Sequence, residues 1–251
     1  MKNCVVMGSG RSGTSLLAGT LSCAGYYVGA NLIAARDENP KGFFEDREIN
    51  SINEALLAEV TPRNPTSDIR PGDEDIRWGW RWLASVPLRT EMGCGNALRD
   101  RISAQTKRTP FCFKDPRFCY TLPVWRPFFQ DTVYLCVFRE PARTAQSIVK
   151  TVATGIYLHG LRCDFAKAVE IWTLMYRHVL DVHRHHGRWL FVHFDQILDG
   201  SALPKLESTL GIRIREPFGD SRLKRSDNVG AVAEDALEVY AALCELAELN
   251  P

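Results

Sequence analysis

The sequence predicts an α/β protein: a single domain built on a mainly parallel sheet with helices on both faces, three layers in all. Three observations predict it. Short apolar runs recur at residues 4–7, 111–113, 132–138 and 189–194. They are too short for helices and lack polar alternation, so they read as strands buried on both faces. Helix-period stretches lie between them. The connections leave strands and helices alternating, the order of a parallel sheet with crossover helices. A chain of 251 residues suits one such domain with insertions.

The elements follow in order. Residues 4–7 (CVVM) form a strand stopped by glycines. Residues 14–23 form a helix with Leu16, Leu17 and Leu21 on one face. Asp46 caps a helix to about Val60 that carries Ile49, Ile52, Leu56 and Leu57. TPRNPTSDIRPGDED, beginning at Thr61, is too rich in Pro, Asp and Arg for regular structure and reads as a long surface loop of the kind that often serves function. IRWGWRWLASV follows and is expected to be helical; with this loop it forms an insertion over 61–90. Its tryptophans, Trp78, Trp80 and Trp82, cannot all share one helical face, so each either packs on the core or points into a cleft. TVYLCVF, 132–138, is the clearest strand. Pro141 opens the next helix, to about Ala153. Asp164 caps a long helix to about His186, closed by Gly187, with Phe165, Val169, Trp172, Tyr176, Val179 and Leu180 on one stripe. A basic loop and an amphipathic helix over about 231–249 fill the stretch 220–251.

Composition narrows the function. The 31 basic and 30 acidic residues give a net charge of +1, which argues against bulk nucleic-acid binding and makes any anion site local. The eight cysteines form no C-x-x-C pair, and several sit in apolar runs, the pattern of buried free thiols in a reducing compartment. The first apolar run is short and ends in glycines, so no signal peptide is expected, and no stretch approaches a membrane span. A cytoplasmic protein is expected. Oligomeric state is not legible.

The chemistry begins in GSGRSGTSLL, residues 8–17. Gly8 and Gly13 have the spacing of a nucleotide phosphate loop, but Thr14 stands where that loop carries lysine. Gly10 and Gly13 let successive backbone N–H groups face one oxyanion. The helix start adds positive potential, and Ser12, Thr14 and Ser15 bring hydroxyls. Arg11 can supply the cation. A plain structural turn is the alternative. The strand 132–138 ends at Arg139, with Ser147 eight residues on in the following helix. Arginine plus hydroxyl is a monophosphate clamp. Ligands of parallel sheets bind at the carboxyl ends of the strands. Two anion holders, at two strand ends, suit a ligand with two separated anionic groups.

These segments resemble the sulfotransferases that use 3′-phosphoadenosine 5′-phosphosulfate (PAPS). RSGTS at 11–15 is similar to their 5′-phosphosulfate loop, FREPARTAQS at 138–147 to their 3′-phosphate motif, and FVHFDQIL at 191–198 to the next core strand. NPKGFFE at 39–45 and KDPR at 114–117 look like the bacterial members. Many members carry lysine where Arg11 stands. The resemblance implies a P-loop fold and sulfuryl transfer to a hydroxyl, or an amine, of a carbohydrate, lipid or small molecule, leaving 3′-phosphoadenosine 5′-phosphate (PAP). No metal, nucleic acid or membrane partner is implied.

Roles then follow. The resemblance implies a histidine or glutamate base downstream of the first helix; no histidine precedes His159, and Glu45 in NPKGFFE is the matching carboxylate, the alternative being an acid that stabilises the helix start near Asp46. Lys114 is expected on the sulfuryl oxygens, or else paired with Asp115. Arg117 is expected to hold an acidic acceptor or the neighbouring loop. Phe43, Phe44, Trp78 and Trp82 are expected on the acceptor side, where aromatic faces stack on a sugar or aglycone. Arg63, Arg70 and Arg77 would suit an anionic acceptor. Arg222, Lys224 and Arg225 fall where relatives close a basic segment over the 3′-phosphate, though the relatives' R-K-G pattern is missing; a solvated basic loop is the equal alternative. His183, Arg184, His185 and His186 lack metal-ligand spacing and suit a helix carboxyl end. A P-loop kinase would need lysine at position 14; a nucleotide-binding module without catalysis is the other rival.

Overall fold

Short apolar runs become four strands: β1 (Asn3–Met7), β2 (Cys112–Lys114), β3 (Thr132–Phe138) and β4 (Arg188–His193). In the computed structural model, which describes residues 1–36, 39–61, 79–158, 160–215 and 230–249, they form one parallel sheet in the order β2-β1-β3-β4. Register aligns the carboxyl ends: Val6 pairs with Lys114, Met7 with Cys136 and Phe138 with His193.

Alternate residues of these strands feed two separate cores, as the two-residue period of a strand requires. Cys4, Val6, Leu135, Val137, Leu190 and Val192 face α1 (Thr14–Cys23), α7 (Phe194–Leu198) and α8 (Leu203–Leu210). Val5, Met7, Tyr134, Cys136, Phe138 and Phe191 face the other layer. That layer holds α2 (Arg47–Val60), α3 (Asn96–Gln105), α4 (Phe118–Trp125), α5 (Pro141–Thr154), α6 (Phe165–Arg177) and α9 (Glu234–Leu246). The three-layer arrangement is therefore the expected one. After β1 the chain turns to one face and after β3 to the other, which opens a crevice between their carboxyl ends.

Helix α1 and strand β3 occupy the expected ranges, and Asp46 and Asp164 cap α2 and α6 by accepting from backbone N–H groups. Three expectations need correction. The long helix to His186 ends as an α-helix at Arg177 and continues as π-helical turns over His178–His183. Hydrogen bonds from i to i+5 widen these turns, and both histidines point inward: His178 Nε2 donates to the Val86 carbonyl and His183 Nε2 to that of Cys119, both at 2.9 Å. His185 and His186 are exposed and so part from His183. In the tryptophan-rich stretch, only a short 3₁₀ turn, Trp80–Leu83, lies among the described residues. Helices α3, α4, α7 and α8 fall where no helix was expected. Among the described residues, no helix is long and apolar enough to cross a membrane.

Candidate active site

The glycine loop lies between β1 and α1. Gly13 caps α1 in the left-handed region with no side-chain partner; Leu16 N–H donates to the Gly13 carbonyl (3.0 Å), and the Thr14 and Ser15 N–H groups are left for a ligand. Gly10 and Gly13 are held by close packing: a Cβ on either would meet the ring of Trp82 or Phe194 at 2.5 Å. Arg11 adopts φ 72°, rare for a residue with a Cβ, and the loop holds it there. The backbone N–H of Ser9 donates to the Tyr176 hydroxyl (3.1 Å), which donates to the Val137 carbonyl (2.7 Å). One buried phenol thus ties the loop to the end of β3. The Ser12 hydroxyl, fully buried near Tyr176, makes no hydrogen bond of normal geometry.

The second anion holder meets the first. Arg11 Nε donates to Ser147 Oγ at 3.1 Å. Ser147 lies well into α5, so this helix stays beside the loop for two turns. The Arg139 guanidinium stacks on the Phe194 ring, 4.6 Å from its centre, and Phe194 in turn touches Gly13. Burial pushes the Arg139 pKa down, and the nearby Arg143 and Arg11 push the same way, against Asp195 and Glu140. Three guanidiniums on one side of the crevice repel one another, and a bound anion would relieve that repulsion.

The third group centres on Lys114, at the end of β2. Lys114 Nζ forms a buried ion pair with Glu45 Oε1 and lies 3.4 Å from Ser15 Oγ. Asn39 Nδ2 donates to the same Ser15 oxygen (3.0 Å). Lys114 does not pair with Asp115, and Glu45 does not cap α2. That cap is Asp46, whose carboxylate accepts from Glu48, Ile49, Ala30 and Asn31 N–H at 2.8–3.3 Å. Four bonds lock Asp46, and its neighbour Glu45 turns toward Lys114. Phe44, at φ 54°, makes the kink and packs into the α1-side core. Phe43 stays half-buried at the mouth, 6.0 Å from the Arg36 guanidinium.

Two acceptor assignments change. Arg117 is almost fully buried, and its fork is taken: Nε donates to Glu54 (2.7 Å), Nη1 to Asp115 (2.9 Å) and Nη2 to the Gly79 carbonyl (2.5 Å). It holds a neighbouring segment, the second of its two expected roles, and presents no face to an acceptor. Burial opposes its charge, but Asp115, Glu54 and Glu45 outweigh that and hold its pKa above the usual arginine value. Trp82 is buried against Gly10, where it supports the loop. Trp78, Arg63, Arg70, Arg77, Arg222, Lys224 and Arg225 lie outside the described residues.

Sequence reasoning missed Asn39, Tyr176 and Phe194. Asn39 stood inside the quoted NPKGFFE stretch and was findable there. Tyr176 read as one more core position, and Phe194 as a strand end. Among the described residues, no cluster of three or more histidine, cysteine or carboxylate side chains could hold a metal.

Solved structures share this architecture. The sulfotransferase domain of the Synechococcus PCC 7002 olefin synthase is 16% identical over 97% of this chain and 96% of its own, with a TM-score of 0.55. That of the curacin biosynthetic pathway is 12% identical, covering 96% and 97%, at 0.56. A sulfotransferase from Alicyclobacillus acidocaldarius is 13% identical, covering 100% and 97%, at 0.50. The chain thus shares the three-layer α/β fold of these solved sulfotransferase structures. Such identities speak to fold alone. No family model matches the chain, and no curated protein matches it either.

Proposed function

We propose that the protein is a sulfotransferase that moves the sulfuryl group of PAPS to a hydroxyl of a small-molecule, lipid or glycan acceptor. The observation that carries this reading is the Arg11–Ser147 hydrogen bond. It joins the loop suited to a 5′-phosphosulfate to the helix suited to a 3′-phosphate, with Lys114 and Glu45 reached through Ser15. The residues fit such a donor: uncapped N–H groups at α1, the Ser12 hydroxyl and three crowded guanidiniums all favour anionic oxygens.

In this reading Gly10, Arg11, Ser12, Gly13, Thr14 and Ser15 hold the 5′ end, and Arg139 and Ser147 hold the 3′-phosphate. Arg222, Lys224 and Arg225 are proposed to add to the second group. Bound PAPS supplies an activated sulfur. The acceptor oxygen bonds to that sulfur, the bond to the bridging phosphate oxygen breaks, and its electron pair leaves with PAP. Glu45 takes the acceptor proton on Oε2, the oxygen not engaged by Lys114. Lys114 and Arg11 offset the charge gathering on the sulfuryl and bridging oxygens. Phe43 borders the acceptor. Positive charge comes from side chains, so no metal enters the reading.

Thermal shift with PAP against ATP–Mg²⁺ tests it. PAP is expected to raise the melting temperature. A rise with ATP–Mg²⁺ and none with PAP would overturn the reading in favour of a phosphotransferase. Tight PAP binding without sulfation of any acceptor in a broad screen with labelled PAPS would leave a binding module.

A further inference from the structure

We infer that the acceptor carries a carboxylate or phosphate of its own, held by Arg36 at the rim of the site. The inference rests on the sulfuryl-transfer reading. Arg36 is exposed, yet its guanidinium lies against two rings: over Tyr157, 4.4 Å from the ring centre, and near Phe43, 6.0 Å. Among the described residues, no carboxylate pairs with it. A guanidinium stacked on aromatic faces keeps its N–H donors pointing outward in its own plane, the geometry that takes a carboxylate or phosphate two-pronged.

Contacts link the residue that carries this cation to the reacting groups. Arg36 and Asn39 exchange backbone hydrogen bonds (2.8 and 3.4 Å), and Asn39 reaches Ser15, which Lys114 also touches. On the same ribbon, Ile33 N–H donates to the Glu45 carbonyl (2.8 Å) and Leu32 bridges Asp46. Tyr157 follows α5; Arg139 stands just before its other end, and Ser147 lies midway along it. Guanidiniums therefore stand near both ends of α5, and hydrogen bonds through Ser15 and Asn39 link the Lys114–Glu45 pair to the residue that carries the Arg36 one. The Arg139 end suits the donor's phosphates. Arg36 serves no donor group in that scheme and is left for the acceptor.

The test is calorimetric titration of PAP-loaded protein with matched pairs that differ only in the anion. Suitable pairs are 4-hydroxyphenylacetate with its amide, 3-hydroxybutyrate with its amide, and glycerol 3-phosphate with glycerol. The first two pairs report a carboxylate and the third a phosphate. At least one anionic member is expected to bind about 10-fold or more tightly than its neutral partner. Arg36→Gln is expected to bring that ratio close to one with PAP affinity unchanged. Tyr157→Leu is expected to weaken the anion while keeping part of the preference. Equal binding within every pair, no binding by any anionic member, or a preference that survives Arg36→Gln would each overturn the inference. Failure of PAP itself to bind would appear before any acceptor is added; it would overturn the transfer reading, and this inference with it.

Discussion

Two ion networks leave the end of β2 three residues apart, and they are built differently. Around Arg117 each guanidinium nitrogen has a partner. Asp115 accepts from the Arg117 side chain and backbone N–H and from Asn50 and Asn53 at 2.7–2.9 Å. Asn53 accepts in turn from Thr121 and Trp125, and Glu54 binds both Arg117 and Arg81. This closed set ties α2 to α4 and to the chain on either side of residues 62–78, since Arg81 also donates to the Thr61 carbonyl. Around Lys114 the set is open. Among the described residues, Glu45 uses one oxygen on Lys114, and Lys114 reaches only Glu45 and Ser15. A buried network with every group satisfied rigidifies, whereas one with a spare acceptor at a crevice is placed to exchange a proton. The closed set is the frame and the open set is the candidate chemistry.

The largest expected effect breaks the frame. Arg117→Leu leaves Asp115 buried without its cation and Glu54 with Arg81 alone, and is expected to cost about 3–5 kcal/mol of stability, read by urea denaturation. A loss below 1 kcal/mol would show that the network is not structural. Glu45→Gln should do the opposite. The amide oxygen still accepts from Lys114, so folding and PAP affinity should stay near wild type while turnover falls ~10²-fold or more. Near-normal turnover would move the base elsewhere. Arg139→Ala removes a charged clamp and is expected to weaken PAP binding by about 1.5–3 kcal/mol in a direct titration. Unchanged affinity would remove Arg139 from the donor site.

The smallest effect reads the floor beneath both networks, where α4 meets the π-helical turns. Burial lowers the pKa of His183 from 6.5 to about 3, against its hydrogen bond to Cys119. Its Nδ1 has no partner, so protonation in the folded state has nothing to accept the new N–H. The unfolded chain takes up the proton first. Stability is therefore full above pH 6.5 and falls as pH drops toward 3. The loss from this residue should reach about 2 kcal/mol near pH 5. His183→Gln should flatten that slope; an unchanged slope would place the acid sensitivity in another group.

How much was legible follows from the range of the forces involved. The sheet could be read from sequence because a doubly buried strand shows as an unbroken apolar run: TVYLCVF became β3 with no change of boundary. Helices with a capping aspartate and an apolar stripe were equally plain, as α2 shows. Helix α4 was hidden because FCYTLPVW is apolar all round and carries Pro123 inside it, so neither periodicity nor propensity marks it. Helix α3 was hidden for the opposite reason, since it buries only Ile102 and its polar surface gives no stripe.

The candidate site divides in the same way. Local geometry depends on neighbours in the chain, so the sequence by itself determined the glycine loop, the Arg139–Ser147 spacing and the Asp46 cap. Partner choice depends on residues far apart in the chain, and only the tertiary structure decided it. Lys114 and Asp115 are adjacent in sequence, yet successive positions at a strand end face opposite ways. Lys114 therefore meets Glu45, 69 residues away, while Asp115 and Arg117 turn into the frame. Arg36 finds Tyr157 for the same reason: the fold brings the end of α5 back over the residues that follow α1, and no pattern in either stretch encodes that contact.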